Sequence, residues 1–144
     1  MKRVIISGIG VEIPDASISN EELVESFNTW ADGENARRRE TGEALVARSD
    51  SNFIVEASGV RHRHVLERTG ILDPQRMAPR IPQRADDELS VMAEFGVASA
   101  RKALADANLG GQDVDLVICA ASHQQRPYPA IGIEIQKALG AAGA

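Results

Sequence analysis

The stretch DDELSVMAEFGVASARKALADANLGGQDVDLVICAA, residues 86–121, decides the fold class. Asp86, Asp87 and Glu88 suit the positive end of a helix, so a helix is expected to open there. Leu89, Met92, Gly96, Ala100, Ala103, Leu104 and Ala107 then recur every three or four residues and trace one face. Most of that face is Ala or Gly. A helix so thin on one side can approach another backbone closely, and it is expected to be buried. Asn108-Leu109-Gly110-Gly111 supplies good stop residues. The run Val114–Ala121, apolar apart from Asp115, then reads as a strand buried on both faces. Helix, glycine turn and strand make an αβ unit, and the expected class is α/β.

Towards the N-terminus, Arg3 to Ile9 is a second β-branched run and reads as a first strand, not as a signal peptide. Gly8 and Gly10 follow a strand, as in a dinucleotide-binding turn. The third glycine of that motif is missing, since position 13 is Ile, and Pro14-Asp15 turns the chain where a helix should open. Close packing inside a sheet is the preferred reading of both glycines. Ser19-Asn20-Glu21-Glu22 is a helix start, and Leu23, Val24 and Phe27 give that helix an apolar face. Ala31 to Arg48 is polar, with the run Arg37-Arg38-Arg39-Glu40. Its mixed charges favour a solvated helical insertion over an anion site.

Composition sets further bounds. The 144 residues suit about one domain. Lys and Arg number 16 against 21 Asp and Glu, a net charge of −5, which gives no general attraction to nucleic acid or anionic membranes. No apolar run approaches the ~20 residues of a bilayer span. One cysteine excludes an internal disulfide and a multi-cysteine metal site, and a reducing cytoplasm is the natural setting.

In Ser58-Gly59-Val60-Arg61-His62-Arg63-His64 the two histidines alternate and on a strand would face the same way. A metal would need further ligands, and only His123 and a few carboxylates offer themselves; no metal site is expected. Arg61 and Arg63 are candidates for an anionic ligand or for pairing with carboxylates. Three of the six prolines fall between positions 74 and 82, so the segment around Thr69–Pro82 reads as an ordered connector. Ser122 to Arg126 is a polar loop at a strand's C-terminal end, where open α/β sheets place their sites. Pro127-Tyr128-Pro129 leads into a last helix carrying Ile131, Ile135, Ala138 and Leu139.

The order of these pieces resembles the N-terminal portion of the β-ketoacyl-acyl-carrier-protein synthase III family of condensing enzymes. The matching segments are Val4–Pro14, Ser17–Phe27, Phe53–His64, Leu89–Ile118 and Pro127–Gly140. The strongest, Phe53-Ile54-Val55-Glu56-Ala57-Ser58-Gly59-Val60-Arg61-His62-Arg63, is similar to the family pattern W-I-x-x-R-T-G-I-x-x-R. Ala121 to Ala130 is similar to its strand-end loop. The connectors Asn28–Arg48 and Leu66–Arg84 look like those of a subgroup extending acyl chains of medium length. The resemblance implies a thiolase-like layered fold (αβαβα), of which residues 1–144 are a partial N-terminal domain. A polar insertion at about 28–48 and a Pro-rich connector at about 66–84 belong to it.

The same resemblance implies a decarboxylative Claisen condensation through an acyl-cysteine. The family's nucleophile, a Cys at a helix N-terminus, and its later His–Asn pair match no position in this chain. Cys119 lies within the expected strand, where a thiol is usually a small buried apolar group, so it is the wrong cysteine for the reaction. No catalytic residue is therefore expected among these 144. Phe53 matches the family's Trp that packs on the coenzyme A adenine, and Arg61 is kept as a substrate contact. Ala57 stands where the family often has an Arg for coenzyme A. Tyr128 matches an aromatic that reaches across a dimer interface to shape the partner's acyl pocket. No bound cofactor is implied, since acyl-coenzyme A and acyl-carrier protein are substrates. The implied partners are the rest of the enzyme, a second copy in a homodimer, and the carrier protein. Residues 1–144 alone are expected to be inactive. The alternative is a non-catalytic thiolase-like subunit or scaffold that pairs with a separate cysteine-bearing chain. A free-standing domain using Cys119 and His123 as a thiol dyad is a third reading.

Overall fold

Buried asparagines hold the long first helix in place beside a half-buried apolar stripe of Leu23, Val24 and Phe27. The computed structural model describes residues 4–144 and divides into two compact units, one of Pro14–Pro82 and one of Gln83–Ala144 with the segment ending at Ile13. Arg3, the start of the expected first strand, lies outside the described residues.

In the Pro14–Pro82 unit, strand β1 (Ala16–Ser19) runs into helix α1 (Asn20–Thr41). Helix α2 (Ser51–Ser58) and strand β2 (His62–Val65) follow. The strands pair antiparallel, with Ala16 opposite Val65 and Ser19 opposite His62. Helix α1 starts where Ser19-Asn20-Glu21-Glu22 places it. The Ser19 hydroxyl accepts from the Glu22 amide at 3.2 Å and the Glu22 carboxylate accepts from the Ser19 amide at 2.9 Å, a reciprocal capping box. The helix ends at Gly42, whose φ of 73° is the left-handed turn that Gly adopts most readily.

The buried residues of α1 are Asn20, Ser26, Asn28, Ala31 and Asn35. Asn28 donates to the Ser49 carbonyl at 3.1 Å and accepts from the Ser49 amide at 2.8 Å. Asn35 treats Val46 in the same way, at 2.9 and 2.7 Å. Each carboxamide thus mimics a peptide group and lays the returning 43–50 segment along the helix. Asn20 donates to the Val60 carbonyl at 2.7 Å and accepts from Arg63 at 2.7 Å. The polar run Ala31–Arg48 is helical only to Thr41 and then turns back as an irregular segment; Ala31 and Asn35 are buried, while its arginines and glutamates are exposed or half-buried. Arg37 and Arg38 both reach Glu34, and their hydrogen bonds hold its carboxyl down at about 2.

The Pro-rich connector is organised around Glu67. Its carboxylate accepts from the Thr69 hydroxyl, from the Gly70 amide at 2.9 Å and from the Arg80 amide at 2.8 Å. The Thr69 hydroxyl and the Arg80 amide lead in lowering its pKa to about 2.

In the other unit, helix α3 (Val91–Ala107) packs against helix α4 (Ile131–Leu139). Ala93, Val97, Ile131 and Ile135 form the buried core, flanked by Leu89, Met92, Val117, Ala138 and Leu139. Helix α3 opens at Val91, five residues beyond Asp86, where the acids suggest a start. Ser90 is the better cap, its hydroxyl accepting from the Ala93 amide at 3.2 Å. The acids form a turn instead, where the Glu88 carboxylate accepts from the Ala85 amide at 3.0 Å. Asn108 closes the helix in a left-handed conformation, as its stop residues imply.

Two expectations need correction. Neither Val4–Ile9 nor Val114–Ala121 is a strand, and neither is buried throughout: Val4, Ile6 and Ile118 are 98, 85 and 83% exposed. A strand needs a ladder of backbone partners. Among the described residues the only such ladder joins β1 to β2. Gly8 and Gly10 do allow close approach, but to a helix rather than within a sheet. A Cβ on Gly8 would collide with the Ala103 carbonyl, and one on Gly10 with the Ser99 carbonyl. The Ala/Gly face of α3 thus receives backbone on one side. On another, a Cβ on Gly96 would lie 2.5 Å from Ile135 Cδ1.

Two measurements test these packing arguments. Gly10→Val should lose about 1–3 kcal/mol by overpacking. Gly33→Ala, whose new methyl meets nothing within 4 Å in mid-helix, should gain about 0.5–1 kcal/mol. Thermal melts decide, and a Gly10→Val protein as stable as its parent would rule out the close approach. The Glu67 carboxyl has a folded pKa below its unfolded one. Its stabilising contribution is therefore complete above about 4.5 and is lost as the pH falls through about 2. The Gly70 and Arg80 amide resonances should titrate near the lower value, and Glu67→Gln should abolish that titration.

Candidate functional site

The residues singled out for substrate contact fall on two different units. Phe53 sits in the first turn of α2, which Asp50 caps by accepting from the Asn52 amide at 2.6 Å. Helix α2 turns Ile54 towards an apolar cavity of about 270 Å³, lined also by Leu23, Val24, Phe27, Ile71 and Met77. Phe53 is left 67% exposed. A ring in that position is open to stacking and contributes little to the core. Gly59 ends α2 with φ 71°, and Ala57 and Arg61 are both exposed. The Arg61 carbonyl accepts from the Asn20 amide at 3.1 Å, which fixes its backbone. Phe53 and Arg61 therefore lie in one unit, on the α2–β2 segment.

His62 and His64 share the exposed face of β2, as their alternation implies. Among the described residues Arg63 pairs with no carboxylate; it donates to the buried Asn20 carboxamide. His64 Nδ1 lies 2.8 Å from the Pro14 carbonyl. Among the described residues no group of three or more His, Cys, Asp or Glu is placed to hold a metal ion.

Tyr128 belongs to the other unit and is 84% exposed, in the loop that leads to α4. Cys119 is also exposed, against the expectation of a buried thiol, because its run is not enclosed in a sheet. It lines an apolar groove of about 500 Å³ with Gly96, Ala100, Ala103, Leu116 and Ile118. His123, the dyad partner considered for it, has Nδ1 3.2 Å from the Ser122 hydroxyl.

One polar cluster escaped the sequence reading. Glu134, 5% exposed on α4, accepts from the Ser90 amide at 2.8 Å and from the Ser90 hydroxyl at 2.7 Å. Arg126 stands 3.7 Å from the same carboxylate and donates to the carbonyls of Asp86 at 3.2 Å and Glu88 at 2.8 Å. A signal existed: Glu134 interrupts the apolar spacing Ile131, Ile135, Ala138, and a carboxylate there must find partners.

Relatives supply the context. The chain is 48% identical over 124 residues to the β-ketodecanoyl-acyl-carrier-protein synthase of Pseudomonas aeruginosa, covering 83% of this chain and 35% of that protein. It is 37% identical over 98 residues to the β-ketoacyl-acyl-carrier-protein synthase III of Mesorhizobium japonicum, covering 68% and 24%. The chain matches the N-terminal portion of the β-ketoacyl-acyl-carrier-protein synthase III family. It spans about a third of the length of the Pseudomonas relative and about a quarter of the Mesorhizobium one. Among solved structures, the priming β-ketosynthase of the R1128 polyketide pathway superposes with a TM-score of 0.60 at 22% identity, covering 96% of this chain and 30% of that one. The 3-oxoacyl-acyl-carrier-protein synthase III of Pseudomonas aeruginosa gives 0.59 at 24%, covering 97% and 30%. These two show the fold, a thiolase-like α/β architecture of which this chain is a partial N-terminal piece. No family model matches the chain.

Because Phe53 and Tyr128 are both exposed, Phe53→Ala and Tyr128→Ala should each move stability by no more than about 0.5 kcal/mol. A cooperative melt several degrees lower in either variant would show a packing residue instead of a contact residue.

Proposed function

We propose that this chain is the N-terminal part of an acyltransferase of the synthase III type, acting in fatty-acid or related acyl metabolism. The 48% identity to a β-ketodecanoyl-acyl-carrier-protein synthase carries the reading. The reaction is decarboxylative condensation. A cysteine thiolate on a segment outside this chain attacks an acyl thioester, and the coenzyme A thiolate leaves. Malonyl-carrier protein then loses carbon dioxide, and the resulting carbanion attacks the acyl-enzyme carbonyl and expels the cysteine. Donors placed at the developing oxyanion and enolate lower both barriers. The proposed partners are acyl-carrier protein and a second copy of the enzyme, in the cytoplasm.

Within that scheme the residues present here contribute binding and shape. Phe53 stacks on the adenine of coenzyme A, with less area than an indole would offer. Arg61, exposed beside α2, meets the anionic part of the same ligand. Tyr128 forms part of an acyl-pocket wall. Ala57 removes a side chain that would otherwise grip coenzyme A, so Phe53 and Arg61 carry more of the recognition. The substrate class is a medium-length acyl thioester. Condensation appends two carbons, so a ten-carbon β-ketoacyl product, the one in the relative's name, starts from an eight-carbon acyl group.

The exposed apolar runs Val4–Ile9 and Leu116–Ile118 support a further expectation. Residues 1–144 expressed alone should bind hydrophobic dyes and show no condensing activity. The intact gene product should condense malonyl-carrier protein with acyl-coenzyme A, best with an eight-carbon acyl group. Phe53→Ala should raise KM for acyl-coenzyme A about tenfold with little change in kcat. An intact protein that forms no β-ketoacyl product with any acyl chain would refute the reading and leave a non-catalytic subunit.

A further inference from the structure

We propose that Arg126, Glu134 and Ser90 form a positioning device that holds the Pro127–Ala130 turn, and with it Tyr128, and so sets the acyl-chain length the enzyme accepts. The chain-length part rests on the synthase reading and on Tyr128 lining the acyl pocket.

The device is built from buried polar groups with few free valences. Ser90 is fully buried, and its hydroxyl is used twice: it donates to Glu134 and accepts from the Ala93 amide. Glu134 uses one oxygen on the Ser90 hydroxyl and the other on the Ser90 amide. That second oxygen also faces the Arg126 guanidinium at 3.7 Å. The Arg126 side chain is 15% exposed; the Nη2 that faces Glu134 donates to the Glu88 carbonyl, and Nη1 donates to the Asp86 carbonyl. A carboxylate buried this deeply is costly without its cation, so the pair is held to one geometry. Arg is suited to this role because one planar guanidinium donates to two carbonyls while its charge stays at ion-pair distance from the carboxylate.

The placement along the chain gives the device its purpose. Arg126 lies two residues before Tyr128, and Glu134 lies six residues after it. The ion pair therefore closes a short loop whose two ends are anchored and whose exposed middle is Tyr128. Pro127 and Pro129 flank Tyr128 and remove further backbone freedom. The Tyr128 ring is itself 84% exposed, so its position follows from the anchors and not from packing of the ring. Arg126, Glu134 and Ser90 are positioning residues; none of them needs to touch substrate.

The test uses the intact protein with Arg126→Lys and Glu134→Gln, which keep a cation or the Ser90 hydrogen bonds, and Arg126→Ala as the severe variant. Two readouts are compared with the parent: amide hydrogen exchange at Ile133 and Glu134, which donate to the Ala130 carbonyl at 2.9 and 3.1 Å, and kcat/KM across acyl-coenzyme A of four to twelve carbons. All variants that fold should exchange faster at those two amides. Arg126→Lys should blunt the preference among chain lengths about tenfold, through KM more than kcat. If Arg126→Ala fails to fold, Arg126→Lys and Glu134→Gln still decide. Unchanged exchange and unchanged chain-length preference in both overturn the inference while an active parent keeps the synthase reading. An inactive parent refutes the synthase reading and the chain-length part together, and unchanged exchange then refutes the anchoring as well.

Discussion

The α3 helix can do what it does because one of its faces has almost no side chains. Ser99, Ala100, Ala103 and Ala107 leave room for the bare backbone at Gly8 and Gly10, and Gly96 leaves room for Ile135. Contacts between backbones at that range admit no methyl group at Gly8 or Gly10. They also leave little slack, since packed interiors tolerate neither voids nor overlaps of a methylene. The extended 4–13 segment is therefore located by the helix, through Asp106 accepting from the Ile9 amide at 3.0 Å and Lys102 donating to the Val11 carbonyl at 3.0 Å. A segment positioned in this way keeps its own edges open, and its apolar side chains stay in solvent.

The Pro14–Pro82 unit solves a different problem with different chemistry. Its long helix buries asparagines where an amphipathic helix would bury leucines. Each buried carboxamide must have its hydrogen bonds satisfied, and an unsatisfied one would cost ~1–3 kcal/mol. Asn28 and Asn35 meet that demand with the N–H and C=O of one residue apiece, so the returning segment has one register. Apolar contacts would allow sliding there. Glu67 plays the same part in the connector, where a carboxylate gathers the Thr69 hydroxyl and the amides of Gly70 and Arg80 in place of a hydrophobic core.

Local signals of the sequence were legible where the cause is local. Ser19 with Glu22, Asn108 with its glycines, and the alternation of His62 and His64 each act within a few residues, and each stands where the pattern puts it. The glycines at 8 and 10 were read correctly as sites of close approach, but the approaching element lies about ninety residues away and was misjudged. The runs Val4–Ile9 and Val114–Ala121 carry a strand's composition, yet composition supplies no partner, and ladders are made between segments. In the Ser90–Glu134–Arg126 cluster, Glu134 alone gave a signal by interrupting an apolar spacing, and its partners were hidden for the same reason. Ser90 lies more than thirty residues from the other two, and each residue alone reads as a cap, a helix acid or a loop cation. Of the three residues chosen for substrate contact, Phe53 and Arg61 share a unit and Tyr128 stands in the other, so the sequence indicates which residues are available and not how they meet.

Reactivity and shape are separable in this chain. Cys119 is exposed, but its neighbours Val117, Ile118, Ala120 and Ala121 are apolar, and the nearest imidazole in sequence is turned to Ser122. A nucleophilic thiol needs a cation, a base or a helix N-terminus to hold its charge, and an apolar extended run provides none of these. The strong electrostatics lie elsewhere, in a buried carboxylate spent on a serine and an arginine. Buried charge of that kind is weak evidence for stability and better evidence for a fixed arrangement, because any other arrangement strands an ion. Where such a pair brackets an exposed aromatic, the geometry of the loop is the property under control. A pocket wall made this way would tune which substrates fit while leaving the bond-making groups to other segments.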